Sequence, residues 1–248
     1  MNILFNIKTS IRRKIAYVFD LNRPSSYPFI TGDGFRALAQ HHFDEISDIK
    51  PNNVEENDIV FVRSDFLKIF FKDRHSQIKN RYILISHNDD TDIDESYAEF
   101  IDDKIVHWFA QNLCFKHPKI TPIPIGIQNL RYNETGKLKY FNQEDVLKDV
   151  VKDTGCTIRY GFRISSHTDR SAIKEILENS ELSKEIGTFD QDKYIDIVHK
   201  SRFIASPRGR GLDCHRTWEA IYLKAVPIVL RDVMTGPDPK FHTLALYN

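Results

Sequence analysis

Three arginines, two glycines and one glutamate fall within the stretch FIASPRGRGLDCHRTWEAIYLKAVPIVL (203–230), and their spacing suits the binding of an anion. A buried strand is expected to end at Ser206–Pro207. A loop carrying Arg208, Gly209, Arg210 and Gly211 follows, and a helix begins near Asp213. Glycines let the backbone approach a ligand closely, and a helix N-terminus presents unpaired N–H groups and a partial positive charge. Arg208, Arg210 and Arg216 add planar guanidinium forks matched to phosphate oxygens. Arg216 and Glu219 lie three residues apart and share a helix face, where a carboxylate can accept hydrogen bonds from ribose hydroxyls. These parts read together as a site for a nucleoside diphosphate. His215, one turn before Glu219, can cap the helix, pair with a neighbour or touch the ligand. Trp218 and Tyr222 read as packing. An isolated RGRG would be no more than a turn with solvated arginines; its place between strand and helix, with Glu219 following, favours ligand binding.

Such a loop must be positioned by strands and helices, and both alternate along the chain. IAYVFDL (15–21), DIVFVRS (58–64), YILISHN (82–88), KIVHWFAQN (104–112) and ITPIPIGI (120–127) read as strands of a first half. Helices are expected around Phe35–His42, over DFLKIFFKDRH, and within the acidic segment 91–102. The polar stretch 128–153 reads as a connector with one helix. The pattern then restarts with a strand at 156–162, helices at 169–180 and 192–201, a strand at 203–206, a helix at 213–224 and a strand at 225–230. Strands alternating with helices imply parallel sheets covered on both faces. We therefore expect an α/β protein with two Rossmann-like domains facing a cleft. The first covers 1–130, followed by a linker (131–153) and a second domain (154–248). Ligands in such sheets bind beyond the carboxyl ends of the strands.

Composition narrows the function. The 248 residues carry 35 basic and 35 acidic side chains, so the broad positive field that non-specific nucleic-acid binding requires is missing and no nucleic-acid partner is expected. Cys114, Cys156 and Cys214 are odd in number and widely spaced, which fits neither a disulfide framework nor a zinc site and suggests a reducing, cytoplasmic setting. Arg12, Arg13 and Lys14 interrupt the N-terminal apolar residues too early for a signal peptide or a membrane span, though they suit peripheral contact with an anionic membrane. DDTDIDES (89–96) lacks the glycine and terminal glutamate of a calcium loop and reads as a solvated acidic helix start, so no metal site is expected. No GxSxG, HExxH or P-loop lysine motif occurs.

The segment SPRGRGLDCHRTWEA followed by VPIV resembles the donor-binding motif of exostosin-type glycosyltransferases, and is nearest their short microbial and viral members. Weaker similarity extends upstream through YPFITGDGFRALA, ILISHN, WFAQN and IPIGI. The resemblance implies a GT-B fold, a nucleotide-sugar donor as substrate, a glycan or lipid-linked acceptor, inverting transfer in surface polysaccharide synthesis, and neither cofactor nor obligatory metal. Arg216 matches the family's phosphate-facing arginine and Glu219 its ribose-binding glutamate. Lys224 stands where family members usually carry a small residue, often glycine, and they continue past the PIV strand, so the second domain is expected to be short.

Two further roles follow from that resemblance. The loop GFRISSHTDR (161–170) should be the second donor element: Ser165, Ser166 and Thr168 can cap the next helix, while Arg163 and Arg170 can reach the diphosphate. Inverting transfer needs a general base, normally supplied by the first domain. His87, just beyond YILIS, and Asp33, in GDGF, are the candidates. Their bland alternatives are a loop histidine bonded to a carboxylate and an N-terminal helix cap. A non-catalytic nucleotide-binding or scaffolding module, or a transferase of phosphate or sulfate groups using the same anion site, are the competing readings.

Overall fold

The runs DIVFVR and YILISH are apolar at consecutive positions rather than alternating ones, as strands covered on both faces must be. In the computed structural model, which describes residues 23–132, 135–142, 152, 158–187 and 190–229, they lie side by side as parallel strands. The protein is α/β, with one parallel sheet in each of two compact units, Met1–Pro124 and Ile125–Asn248. This is compatible with the expected pair of Rossmann-like domains.

The described part of the first unit runs α1 (Gly32–Arg36), β1 (His41–Phe43), β2 (Asp58–Arg63), α2 (Leu67–Asp73), β3 (Tyr82–His87), β4 (Ile105–Ala110) and β5 (Ile120–Pro122). Its sheet has the order β1-β2-β3-β4-β5, every neighbouring pair parallel. Val60, Phe61 and Val62 of β2, Leu84 of β3 and Trp108 of β4 are buried, and the Trp108 indole donates to Ser86 Oγ at 2.9 Å. On α2 the buried Leu67, Phe70 and Phe71 are one turn apart, and Phe71 stacks on Phe100 at 4.7 Å. At the amino end of β3, His75 joins the buried Tyr82 hydroxyl (2.7 Å) to the Asp102 carboxylate (3.0 Å). A carboxylate only accepts, so Nε2 carries the proton and Nδ1 accepts from Tyr82.

Local chemistry explains the departures from expectation. The helix expected around Phe35–His42 is one short helix, Gly32–Arg36, because His41, His42 and Phe43 pair with Val60, Phe61 and Val62 instead. The acidic segment forms a 3₁₀ turn, Glu95–Phe100, capped by Asp94 through the Ser96 N–H. The strand expected over 120–127 stops at Pro122, since Pro122 and Pro124 have no N–H to give a ladder. The strand expected at 15–21, Arg12, Arg13 and Lys14, Cys156, and residues 143–151 of the connector lie outside the described residues.

The second unit runs β6 (Ile158–Tyr160), α3 (Asp169–Glu178), β7 (Ser183–Glu185), α4 (Gln191–Lys200), β8 (Phe203–Ala205), α5 (His215–Tyr222) and β9 (Val226–Ile228), with sheet order β7-β6-β8-β9. Residues 125–130 group with this unit. The Ile125 N–H bonds Asp213 at 2.8 Å and the Gly126 carbonyl accepts from His215 at 2.8 Å. Lys152 donates to the carbonyls of His199 (2.6 Å) and Leu223 (3.2 Å), placing a cation at the negative ends of α4 and α5. Among the described residues no helix is long and apolar enough to cross a membrane.

Two predictions follow from this architecture. Lys224, just past α5, has φ 58°, the left-handed conformation that glycine adopts without penalty. Lys224→Gly is expected to stabilise the protein by about 0.5–1 kcal/mol, the relieved strain less the added chain entropy; a lower denaturation midpoint would reject this. Burial lowers the pKa of His75, His42 and His107 from the ordinary value. The unfolded chain therefore takes up protons at a pH where the folded chain resists them. Stability is complete above the unfolded histidine range and is lost as pH falls from about 7 toward 5, before the carboxylates titrate. Denaturant unfolding at pH 7.5 and 5.5 reads the effect, and equal stability at both would contradict it.

Candidate functional site

In the second sheet, β7 lies on one side of β6 while β8 and β9 lie on the other. The chain thus reverses its direction of winding between β6 and β8, and ligands of such sheets bind outside the carboxyl ends of the strands at that reversal. The two loops leaving that point are 161–168, after β6, and 206–214, after β8. They are the same two loops that the sequence marks for donor binding.

One side chain organises both. Arg170, in the first turn of α3, is only 6% exposed. Its Nε donates to the Arg208 carbonyl (2.7 Å), Nη1 to the Arg163 carbonyl (3.0 Å) and Nη2 to the Pro207 carbonyl (3.0 Å), and its guanidinium lies over the Phe162 ring. Arg170 was expected to reach a diphosphate; its fork is instead engaged by the loop backbone. Because the peptide is planar and trans, turning the Pro207 carbonyl toward Arg170 aims the Arg208 N–H away from it. Arg163 contributes its carbonyl, and its side chain is exposed.

On the other side of the loop stands α5. Tyr194 of α4 donates its hydroxyl to Glu219 Oε2 at 3.1 Å, and the Arg216 charge acts on the same phenol. Burial first, and then the Glu219 charge, push the Tyr194 phenol pKa far up, so it remains a donor. Arg216 Nε is buried, and among the described residues no hydrogen-bond acceptor reaches it. A buried guanidinium donor without a partner is costly, and an anionic ligand would supply the partner.

The remaining predicted donor residues divide. Ser206 is buried with its hydroxyl bonded to Thr217 Oγ1 at 2.8 Å, so it ties β8 to α5 rather than offering a ligand contact. Arg208 is half-buried, Arg210 is exposed and Gly211 is buried. A Cβ on Gly209 would meet Arg170 Nη2 at 3.4 Å and Cys214 Sγ at 3.6 Å, ordinary contacts, so the protein itself does not demand glycine there. His215 is half-buried and held by the Gly126 carbonyl.

Sequence reasoning missed two residues of this neighbourhood. Asp213 is buried and its carboxylate accepts from the Ile125 N–H, the Cys214 N–H and the Trp218 indole, each at 2.8 Å. Burial pushes its pKa up against those three donors. Its signal was a charged residue immediately before an apolar helix. Tyr194 gave no signal, because a tyrosine on the inner face of a helix reads as packing.

The proposed bases of the first unit sit in a different network. His87 is 1% exposed; its Nε2 donates to the Pro124 carbonyl (3.0 Å) and its Nδ1 accepts from the Asn88 N–H (2.7 Å). Both of these partners are backbone groups. Asp33 is not the helix cap: Thr31 caps α1 by accepting from the Gly34 N–H at 3.0 Å. Asp33, also 1% exposed, accepts from Asn88 Nδ2 (2.9 Å) and pairs with Arg23 (3.5 Å). Any side chain at Gly32 would collide with His87 and Asn88, which fixes that glycine. Both candidate bases are buried within this network. Among the described residues, no group of three or more His, Cys, Asp or Glu side chains could hold a metal ion.

Compared with known proteins, the sequence matches no protein-family model and no curated protein.

Removing the Arg170 fork should loosen both loops together. Arg170→Met is expected to cost about 3 kcal/mol, since three buried carbonyls lose a charged donor. Arg170→Lys should restore only part, because an ammonium cannot reproduce the planar fork. Denaturation reads the cost and amide exchange of residues 206–211 reads the loosening; unchanged exchange in Arg170→Met would show that the loop holds itself.

Proposed function

We propose that the protein is a glycosyltransferase that moves a sugar from a nucleoside-diphosphate donor onto a glycan or lipid-linked acceptor. The buried Nε of Arg216, without a hydrogen-bond partner among the described residues, beside the hydrogen-bonded Tyr194–Glu219 pair at a winding reversal of a parallel sheet, carries this reading. Phosphate oxygens supply the acceptor that Arg216 lacks, and Glu219 has a second oxygen for a ribose hydroxyl.

In the reaction we propose, the acceptor oxygen displaces the diphosphate from the anomeric carbon in one step, inverting its configuration. Negative charge grows on the departing diphosphate, and fixed donors aimed at it lower the barrier. Arg216 and the Arg208 N–H, which the Arg170 fork aims away from itself, would be those donors. The resemblance of SPRGRGLDCHRTWEA to the exostosin-type motif supports the same assignment and, with it, a GT-B arrangement and a cytoplasmic site of action.

A second reading rests on a specific observation: His87 and Asp33 are both enclosed and partnered, as they would be in a non-catalytic nucleotide-binding module. Release of nucleoside diphosphate from a sugar nucleotide separates the two.

The test is calorimetry of the full chain with UDP, GDP and ADP. At least one is expected to bind, and Arg216→Ala should weaken it about 10- to 100-fold through loss of a charged hydrogen bond. Glu219→Gln should erase discrimination against the 2′,3′-dideoxy analogue. Equal affinity in Arg216→Ala would remove the assignment.

A further inference from the structure

We propose that His215 is the catalytic base of the transfer, an inference that rests on the donor reading above. His215 is the first residue of α5, and its Nδ1 lies 2.8 Å from the Gly126 carbonyl. A carbonyl only accepts, so the ring proton is on Nδ1 and the lone pair is on Nε2. Among the described residues Nε2 makes no hydrogen bond, and the ring is half-buried rather than enclosed. His87, by contrast, has both nitrogens engaged by backbone groups, and Asp33 is ion-paired below the surface.

Placement points the same way. His215 and Glu219 are four residues apart on one helix face, with Arg216 beside them. Side chains lean toward the N-terminal end of a helix, so the His215 ring lies on the loop side of Glu219. A nucleotide whose ribose meets Glu219 and whose phosphates meet Arg216 therefore directs its sugar toward the first turn of α5. Of the charged groups nearby, Asp213, two residues earlier, interacts electrostatically with His215.

The step balances as follows. The acceptor oxygen forms its bond to the anomeric carbon as the bond from that carbon to the diphosphate oxygen breaks. The electron pair of the broken bond leaves on the diphosphate, and the acceptor's proton passes to His215 Nε2.

His215→Asn is the discriminating variant: its amide keeps an N–H donor for the Gly126 carbonyl but has no group in place of Nε2. The full chain, wild type and variant, is assayed for binding of UDP and GDP and for nucleoside-diphosphate release from UDP-glucose, UDP-galactose, UDP-N-acetylglucosamine and GDP-mannose, with water as acceptor. We expect affinity in His215→Asn to stay within about threefold, release to fall at least about 100-fold, and added imidazole to restore part of it. Release within threefold of wild type overturns the role of His215 and leaves the donor reading standing. Loss of binding together with release makes His215 a donor ligand and also overturns it. If the wild type binds a nucleoside diphosphate but releases none from the four sugars, the protein is a binder and the step has no place. If the wild type binds neither UDP nor GDP, the donor reading falls and this inference with it.

Discussion

A guanidinium enclosed by protein must find acceptors for its donors, and in the second unit that requirement fixes the shape of the ligand-facing backbone. Arg170 meets it with the carbonyls of Pro207, Arg208 and Arg163, drawn from two loops that are far apart in sequence. The bonds run from a cation to neutral carbonyls, so the charge stays uncancelled at the back of the loop. It adds to the partial charge at the N-terminus of α5 and biases the whole region toward anions. The proposed donor site depends on this arrangement, since amides can stabilise a developing charge only when they are already aimed at it.

How much of this could be read in the sequence depends on which force decided each feature. Continuous apolar runs such as DIVFVR and YILISH are legible because burial on both faces leaves no room for polar residues. The helix Leu67–Asp73 is legible because Leu67, Phe70 and Phe71 repeat at the helical period. His41–Phe43 was not, since two histidines and one phenylalanine become a strand only through a neighbour, Val60–Val62, that supplies the ladder. Ser183–Glu185 is a polar edge strand of the same kind, decided by the Ile158–Tyr160 strand beside it.

The site shows the same division. That Arg216 and Glu219 share one helix was legible from their spacing. The part played by Arg170 was not, because a residue type that suits phosphate suits a cluster of carbonyls equally well, and only tertiary structure chooses between them. The bond of Ser206 to Thr217 was likewise not legible. Lys224 is the converse case: a sequence position where glycine is usual in the family that the chain resembles has a left-handed backbone in the structure. Positive φ follows from the need to end α5 and enter β9 within three residues, whatever the side chain.

A carboxylate beside a phosphate site needs its own justification, because Glu219 would repel the ligand that Arg216 attracts. The Tyr194 hydroxyl resolves this by donating to the carboxylate, so part of the carboxylate charge is drawn into the buried side of the site. Burial keeps the Tyr194 proton in place, which fixes the direction of that hydrogen bond. Glu219 is then held where a hydroxyl group of a ligand can reach its second oxygen. Under the donor reading proposed above, a carboxylate oriented in this way would select a sugar hydroxyl, a neutral donor, and disfavour a second phosphate in the same position.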